Sequence, residues 1–430
     1  MHYLIIGNCA AGINAIEGIR KLDGSGEITV VSDEDFPAYC RCLITDYVAG
    51  TRKKEDLLYR EKDFYEKNKV NLILGERVNK VDISRKEIIL QSGKKLSYDR
   101  LLVATGASPK PLGIKGEEKY GVFGFRTLRD ADEIIKLADE TRKAVIFGGG
   151  LIGLKAAYGL KKRGVDVQVM VKSPRILSQV VDTQAAEIIG KWLQENGISI
   201  RTGVAPEEIL GDKEVEEVRL DNGEKIPARL VIVGKGVRCN TSLVEDSPIK
   251  VHWGILADDF LQTNIEGVFV AGDVAETKDL VFDRNEVNAL WTAACEQGRI
   301  AGMNMVEKVK KYPGSIGANS ADFFGLAFIS VGYVRVREEG YEELIRSNPQ
   351  EYRYKKVVLK NNIMVGFTVI NNIENAGVYT ALIRKKADIS SVKDILLEDY
   401  LDYPKVKDLL EEKEGLRESV SMEGEIIKIA

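Results

Sequence analysis

The chain has 430 residues, 44% of them hydrophobic and 30% charged, enough for roughly two to four domains with substantial cores. Its 62 basic and 66 acidic residues leave a formal charge of −4, which gives no general attraction to nucleic acid or to an anionic membrane. No apolar run approaches the roughly 20 residues that span a bilayer, and the first strand starts almost at once, leaving no room for a signal peptide. The expected setting is cytoplasmic.

The first unit in chain order is Leu4-Ile5-Ile6-Gly7-Asn8-Cys9-Ala10-Ala11-Gly12, a β-branched run, a glycine turn and then a helix through Ala15–Leu22. A second strand, Ile28–Val31, ends in Ser32-Asp33-Glu34. After a proline turn comes Tyr39-Cys40-Arg41-Cys42-Leu43-Ile44. Residues 70–80 and Glu87–Leu90 read as strands, and Leu101–Val103 is a buried strand that ends in Ala104-Thr105-Gly106. Pro109 and Pro111 mark a domain crossing.

A second glycine turn then follows: Ala144–Phe147, Gly148-Gly149-Gly150, Leu151-Ile152-Gly153. A helix to Arg163 and a strand over Asp166–Val171 continue this unit, and Leu230–Val233 with Gly234-Lys235-Gly236 closes it. Val268–Val270 leads into Ala271-Gly272-Asp273, then a helix over Asn288–Met305. From about Ser320, strands over Val331–Val336, Tyr354–Leu359 and Ile363–Val369, with helices over Ala376–Lys385 and Val392–Leu397, indicate a small α+β terminal domain.

Glycines in a strand–turn–helix setting let the backbone approach a pyrophosphate whose charge meets the helix N-terminus. One such turn fits any dehydrogenase. Two imply that two dinucleotides meet, as when a nicotinamide cofactor hands a hydride to a flavin. The five cysteines, Cys9, Cys40, Cys42, Cys239 and Cys295, are too few and too scattered for a disulfide framework, and no Cys-x-x-Cys pair offers a zinc or iron–sulfur site. The two histidines, His2 and His252, read as structural, which argues against a Ser-His-Asp hydrolase and a histidine metal site. No metal is expected.

Five blocks in order resemble the FAD- and NAD(P)-dependent pyridine nucleotide–disulfide oxidoreductase superfamily over roughly residues 1–318: the two glycine turns, Ala104-Thr105-Gly106, Gly234-Lys235-Gly236 and Ala271-Gly272-Asp273. Ala38–Leu43 is similar to the NADH oxidase, nitrite-reductase and rubredoxin-reductase branch, and the segment from Val365 to Ile383 is loosely similar to its interface domain. The resemblance implies two Rossmann-like three-layer α/β domains, the NAD(P) domain inserted in the FAD domain, plus a C-terminal α+β interface domain. It divides the chain into residues 1–111 and 240–318 (FAD), 112–239 (NAD(P)) and 319–430 (interface, forming a homodimer).

The resemblance also implies site residues. For FAD they are Gly7, Gly12, Asp33, Glu34, Arg41, Val78, Ala104, Thr105, Gly106, Arg126, Gly272, Asp273 and Trp291. Asp273 would bind the ribityl chain. Ser32 stands where the acid for the adenosine ribose is usual, so Asp33 or Glu34 takes that role, with Glu34 favoured. For NAD(P)H they are Gly148, Gly150, Leu151, Ile152, Gly153, Lys172, Arg175, Gly234 and Gly236. The strand end Val171-Lys172-Ser173-Pro174-Arg175 has no carboxylate for a ribose 2′-OH, and Lys172 and Arg175 suit a 2′-phosphate, so NADPH is expected to serve at least as well as NADH. Aligning back from Tyr47–Gly50 puts Cys42 at a redox-cysteine position; an apolar packing role is its alternative, and Cys40 falls at a polar, non-redox position. Cys9 reads as packing. The expected function is an FAD-dependent NAD(P)H oxidoreductase passing electrons to oxygen, to a disulfide or persulfide through Cys42, or to a redox protein. The alternative is an NAD(P)H-linked electron-transfer subunit of a larger complex.

Overall fold

The computed structural model describes residues 1–401 and 403–411; residues 412–430, which the sequence reading gives to the terminal domain, lie outside the described residues. Two parallel five-stranded sheets carry the two glycine turns. In the first, the order is Val268–Val270, Arg100–Val103, His2–Ile6, Glu27–Val31 and Val70–Ile73. In the second it is Ser199–Thr202, Asp166–Val171, Lys143–Phe147, Val231–Val233 and Val122–Phe123. Each glycine turn therefore leaves the carboxyl end of a central strand, the position at which open α/β sheets bind ligands.

The chain passes from the first sheet to the second through Ala107–Pro109 and returns through Val237–Cys239, and these two strands pair antiparallel. The first sheet is finished only on the return, when Val268–Val270 pairs with Arg100–Val103. A three-stranded meander accompanies each sheet, Val78–Ser97 and Pro206–Pro227. The third unit is an antiparallel sheet in the order Ala318–Phe323, Leu326–Gly332, Ile363–Ile370, Arg353–Lys360, Glu342–Asn348. The molecule is thus α/β with two Rossmann-like domains and a terminal α+β unit.

The apolar strand Ile363–Ile370 is covered inside the chain. Met364 and Phe367 are buried in one cluster with Tyr379 and Leu382 of the Ala376–Lys385 helix. Several expected elements shift. The run expected over Val331–Val336 is a strand at Leu326–Gly332 instead. Gly332 has φ +70°, and a Cβ there would lie 2.2 Å from Val365 O, so the pairing ends where the chain must bend. The run over 70–80 breaks at Gly75 into two strands of different sheets. Val392–Leu397 is a 3-10 segment, Ser390–Ile395, rather than an α-helix.

Candidate functional site: two glycine turns and the crossing between them

The first turn is built from close backbone packing. Gly7 has φ +122°, and a Cβ there would lie 2.2 Å from Ala104 O. Gly12 faces Gly7 O at a distance, 2.0 Å for an added Cβ, that no side chain tolerates. The same turn holds Asn8, which accepts from Tyr65 Oη at 2.8 Å while its Nδ2 is buried without a partner. A cradle open only to backbone, ending on a 13-residue helix and carrying an orphaned buried donor, fits a pyrophosphate. These residues fit the FAD that the resemblance implies.

Other expected FAD residues gather round this turn. Ala104 N–H donates to Ile6 O at 2.8 Å, and Thr105 Oγ1 donates to Asn240 O at 3.0 Å. Gly272 N–H donates to Gln297 Oε1 at 2.8 Å, which ties the Gly272-Asp273 turn to the Trp291–Val306 helix. Arg126 Nη2 and Asp273 Oδ2 form an ion pair at 2.8 Å across the domain crossing. Trp291 opens the Trp291–Val306 helix and meets Tyr59 edge-on at 5.0 Å; Tyr59 Oη and Cys295 Sγ are 3.2 Å apart. Asp33 is exposed, and Val78 packs into the core on the far face of the sheet.

Arg41 is the hub of the site. Its guanidinium pairs with Glu34, donates to Tyr39 Oη at 3.1 Å and to Arg126 O at 2.8 Å, and its Nε donates to Cys9 Sγ at 3.3 Å. Burial opposes its charge, yet Cys9, Tyr39 and Glu34 outweigh burial and hold its pKa above the ordinary value. Tyr39 Oη donates to Glu34 at 2.7 Å and accepts from Leu128 N–H at 3.1 Å; burial pushes that phenol far up. Glu34 therefore already accepts at both oxygens. Cys9, expected to pack, is a contact of Arg41. That role was invisible in the sequence because Cys9 and Arg41 are 32 residues apart.

Cys42 lies exposed in the short 3-10 turn Arg41–Leu43, with Cys40 before it as the N-cap. The neighbouring Cys42 thiol lowers Cys40 to about 6 against the opposing effect of burial, and the amides of Cys42 and Leu43 help without full capping geometry. Cys42 is raised by the neighbouring Cys40, with Lys155 opposing. The thiolate-prone member of the pair is thus Cys40, and the exposed member is Cys42.

The second turn repeats the first. A Cβ at Gly153 would lie 1.9 Å from Gly148 O, and one at Gly148 would lie 2.3 Å from Gly234 O. Gly150 is the N-cap of the Leu151–Lys162 helix, and Ile152 is partly exposed. Lys172 is exposed, and Arg175 is half-buried. Pro109, Phe125, Arg126, Ile152, Val233 and Gly236 line one crevice at the crossing. It joins residues expected for FAD to residues expected for NAD(P)H.

Comparison with known proteins agrees with this layout. A pyridine nucleotide-disulphide oxidoreductase model matches residues 1–298, and a rubredoxin NAD+ reductase C-terminal domain model matches residues 318–387. The chain is 32% identical over 395 residues to nitrite reductase (NAD(P)H) of Bacillus subtilis (strain 168), covering 91% of this chain and 48% of that protein. It is 32% identical to the NADH-dependent phenylglyoxylate dehydrogenase subunit epsilon of Aromatoleum evansii, covering 91% and 93%. It spans about half the length of the nitrite reductase and of an assimilatory nitrate reductase electron transfer subunit from the same Bacillus. Among solved structures, an NAD-dependent persulfide reductase from A. fulgidus superposes with a TM-score of 0.85 at 26% identity over 92% of this chain and 79% of that one. The chain belongs to the pyridine nucleotide-disulphide oxidoreductase family.

Proposed function

We propose that this chain is an FAD-dependent NAD(P)H oxidoreductase that delivers electrons to a redox-protein partner. The observation that carries the reading is the crevice at the crossing, where Arg126, expected for FAD and ion-paired with Asp273, stands beside Ile152 and Gly236, expected for NAD(P)H. Bound FAD supplies a hydride acceptor at its isoalloxazine. The protein's part is orientation and exclusion of water. The two helix N-termini hold the pyrophosphates. Arg126 and Asp273 tie the Leu128–Thr141 side of the crossing to the ribityl end of the flavin site, and Trp291 with Tyr59 walls one edge of that site.

The partner reading is supported by relatives. The phenylglyoxylate dehydrogenase subunit and the assimilatory nitrate reductase subunit are components of larger enzymes, and the former has nearly this chain's length. A second reading, reduction of a disulfide or persulfide through Cys42, is favoured by one observation: an exposed thiol beside a thiolate-prone one. The domain division at residues 111, 239 and 318 belongs to the proposal and is supported by the paired crossing strands. So does a cytoplasmic homodimer. Because Ile363–Ile370 is covered within the chain, the face available to a second copy is the exposed edge strand Glu342–Asn348.

The test begins with the purified protein. Released cofactor is identified by mass, and anaerobic bleaching of bound flavin is followed with NADH and with NADPH. Folded protein that neither contains nor takes up FAD ends the proposal. An acceptor panel on wild type and Cys42→Ala then separates the readings. A redox-protein acceptor should be unaffected by the variant, whereas disulfide or persulfide turnover, where present, should be lost. Light scattering that gives a monomer at micromolar concentration with flavin intact removes the dimer.

A further inference from the structure

The loop after the Asp166–Val171 strand is where a Rossmann domain meets the 2′ position of the adenosine ribose. Here the terminal domain helps to build that loop. Leu177 N–H donates to Gly149 O at 2.7 Å, seating the loop on the second glycine turn. From the terminal domain, Ser330 Oγ donates to Val180 O at 2.6 Å and Arg335 Nη1 donates to Ser178 O at 2.9 Å. Arg175 Nη2 donates to Val181 O at 3.2 Å, so guanidiniums from two domains grip one turn.

Positive charge gathers there without an acid. Among the described residues Arg175, Arg335 and Arg337 form no ion pair. The one carboxylate on the 172–182 stretch is Asp182, and it is committed elsewhere. It caps Ala185 N–H at 3.0 Å, accepts from Tyr354 Oη at 2.6 Å and pairs with Lys356 at 3.1 Å. Arg175 Nε is buried without a hydrogen-bond partner. Burial, and then Arg337 and Arg175, push Arg335 below the ordinary guanidinium range. Gathered like charges disfavour their own ionisation, and an anion placed among them relieves this.

We infer that Arg335 of the terminal domain, with Arg175, binds the 2′-phosphate on the adenosine ribose of NADPH, so that the terminal domain helps set the choice between NADPH and NADH. The inference rests on the NAD(P)H reading above and deepens it. A phosphate monoester carries more than one negative charge near neutral pH and takes guanidinium donors in pairs. Arg335 thereby has a second task besides bracing Ser178.

The test is direct binding of 2′,5′-ADP and 5′-AMP to the FAD-loaded protein by calorimetry at low salt. Wild type should prefer 2′,5′-ADP by about tenfold or more, the size of one charge-assisted contact. Arg335→Gln should lose most of that preference, and Arg335→Lys should keep part of it. In steady state Arg335→Gln should raise KM for NADPH by about tenfold while KM for NADH stays within about twofold. A purely bracing role would move both KM values equally, and that result overturns the inference. So does a wild type that binds the two probes alike. Should Arg335→Gln fail to fold, Arg175→Gln and Arg335→Lys carry the same comparison. Intact 2′,5′-ADP preference with no flavin reduction by either nucleotide would count against the oxidoreductase reading, not against this site.

Discussion

At the scale of single residues, chemistry concentrates in a few side chains around Arg41. Cys40 is lowered to about 6 by the neighbouring Cys42 thiol, so it should ionise near that pH. Only the thiolate is alkylated. Iodoacetamide labelling of the pair should therefore rise through about pH 6, not through the ~8.5 of an ordinary thiol. Cys42→Ala removes the neighbouring thiol and should move the rise upward; Cys40→Ser should abolish the low-pH component. Labelling of wild type that starts only near the ordinary value would dismiss the lowered Cys40 thiol. The resemblance put the redox role at Cys42 and a non-redox role at Cys40. Which sulfur ionises more easily depends on how the two thiols and the turn's amides are disposed in a three-residue 3-10 turn, which spacing alone does not encode.

At the scale of elements, the glycine turns were legible because they are local. A β-branched strand, a tight turn and a helix lie within about a dozen residues, and periodicity reads them directly. Long-range packing was less legible. The Ala10–Leu22 and Trp291–Val306 helices lie almost in backbone contact, and a Cβ added at Gly302 would come within 2.2 Å of Ala15 O. Gly298, one helical turn earlier, makes the same approach to Ala11 O, but the spacing does not say which helix the pair faces. Gly302→Val should force the helices apart at a cost of about 1–3 kcal/mol, typical of overpacking. Because Gln297 on the same helix holds the Gly272 turn, the variant should also lose FAD more readily. Urea denaturation and flavin retention on gel filtration measure the two effects; unchanged values for both would reject the coupling. The stretch Ile249–His252 is β-branched in part yet forms no strand. It makes only an isolated bridge, because buried Glu276 takes Trp253 N–H, Gly254 N–H and His252 Nδ1 at 2.9–3.0 Å and bends the chain there.

At the scale of the whole molecule, the terminal domain is fastened to the second sheet's domain by buried polar groups. Lys356 is 3% exposed and pairs with Asp182 at 3.1 Å and Glu343 at 2.8 Å. Tyr354 Oη donates to the same Asp182, 172 residues away in sequence, and Trp192 Nε1 donates to Phe323 O at 2.7 Å. Such distant partners leave no periodic trace, so the sequence showed a third unit without showing how it attaches. Removing one member of a buried ion pair leaves the others desolvated and uncompensated, commonly by about 3–5 kcal/mol. Lys356→Met keeps the volume roughly constant but strands Asp182 and Glu343. Glu343 is at the domain's partly exposed edge and can turn to water; Asp182 cannot leave without giving up its cap on Ala185. The loss should therefore fall at the low end of that range and should act at the junction. In urea the FAD-loaded variant should unfold in two steps, the terminal domain first, followed by tryptophan fluorescence from Trp192 and then by flavin release. If the two-step unfolding appears, NADPH affinity should weaken more than NADH affinity, because Arg335 leaves with the domain. A single transition at the wild-type urea midpoint would show that Lys356 does not fasten the domains.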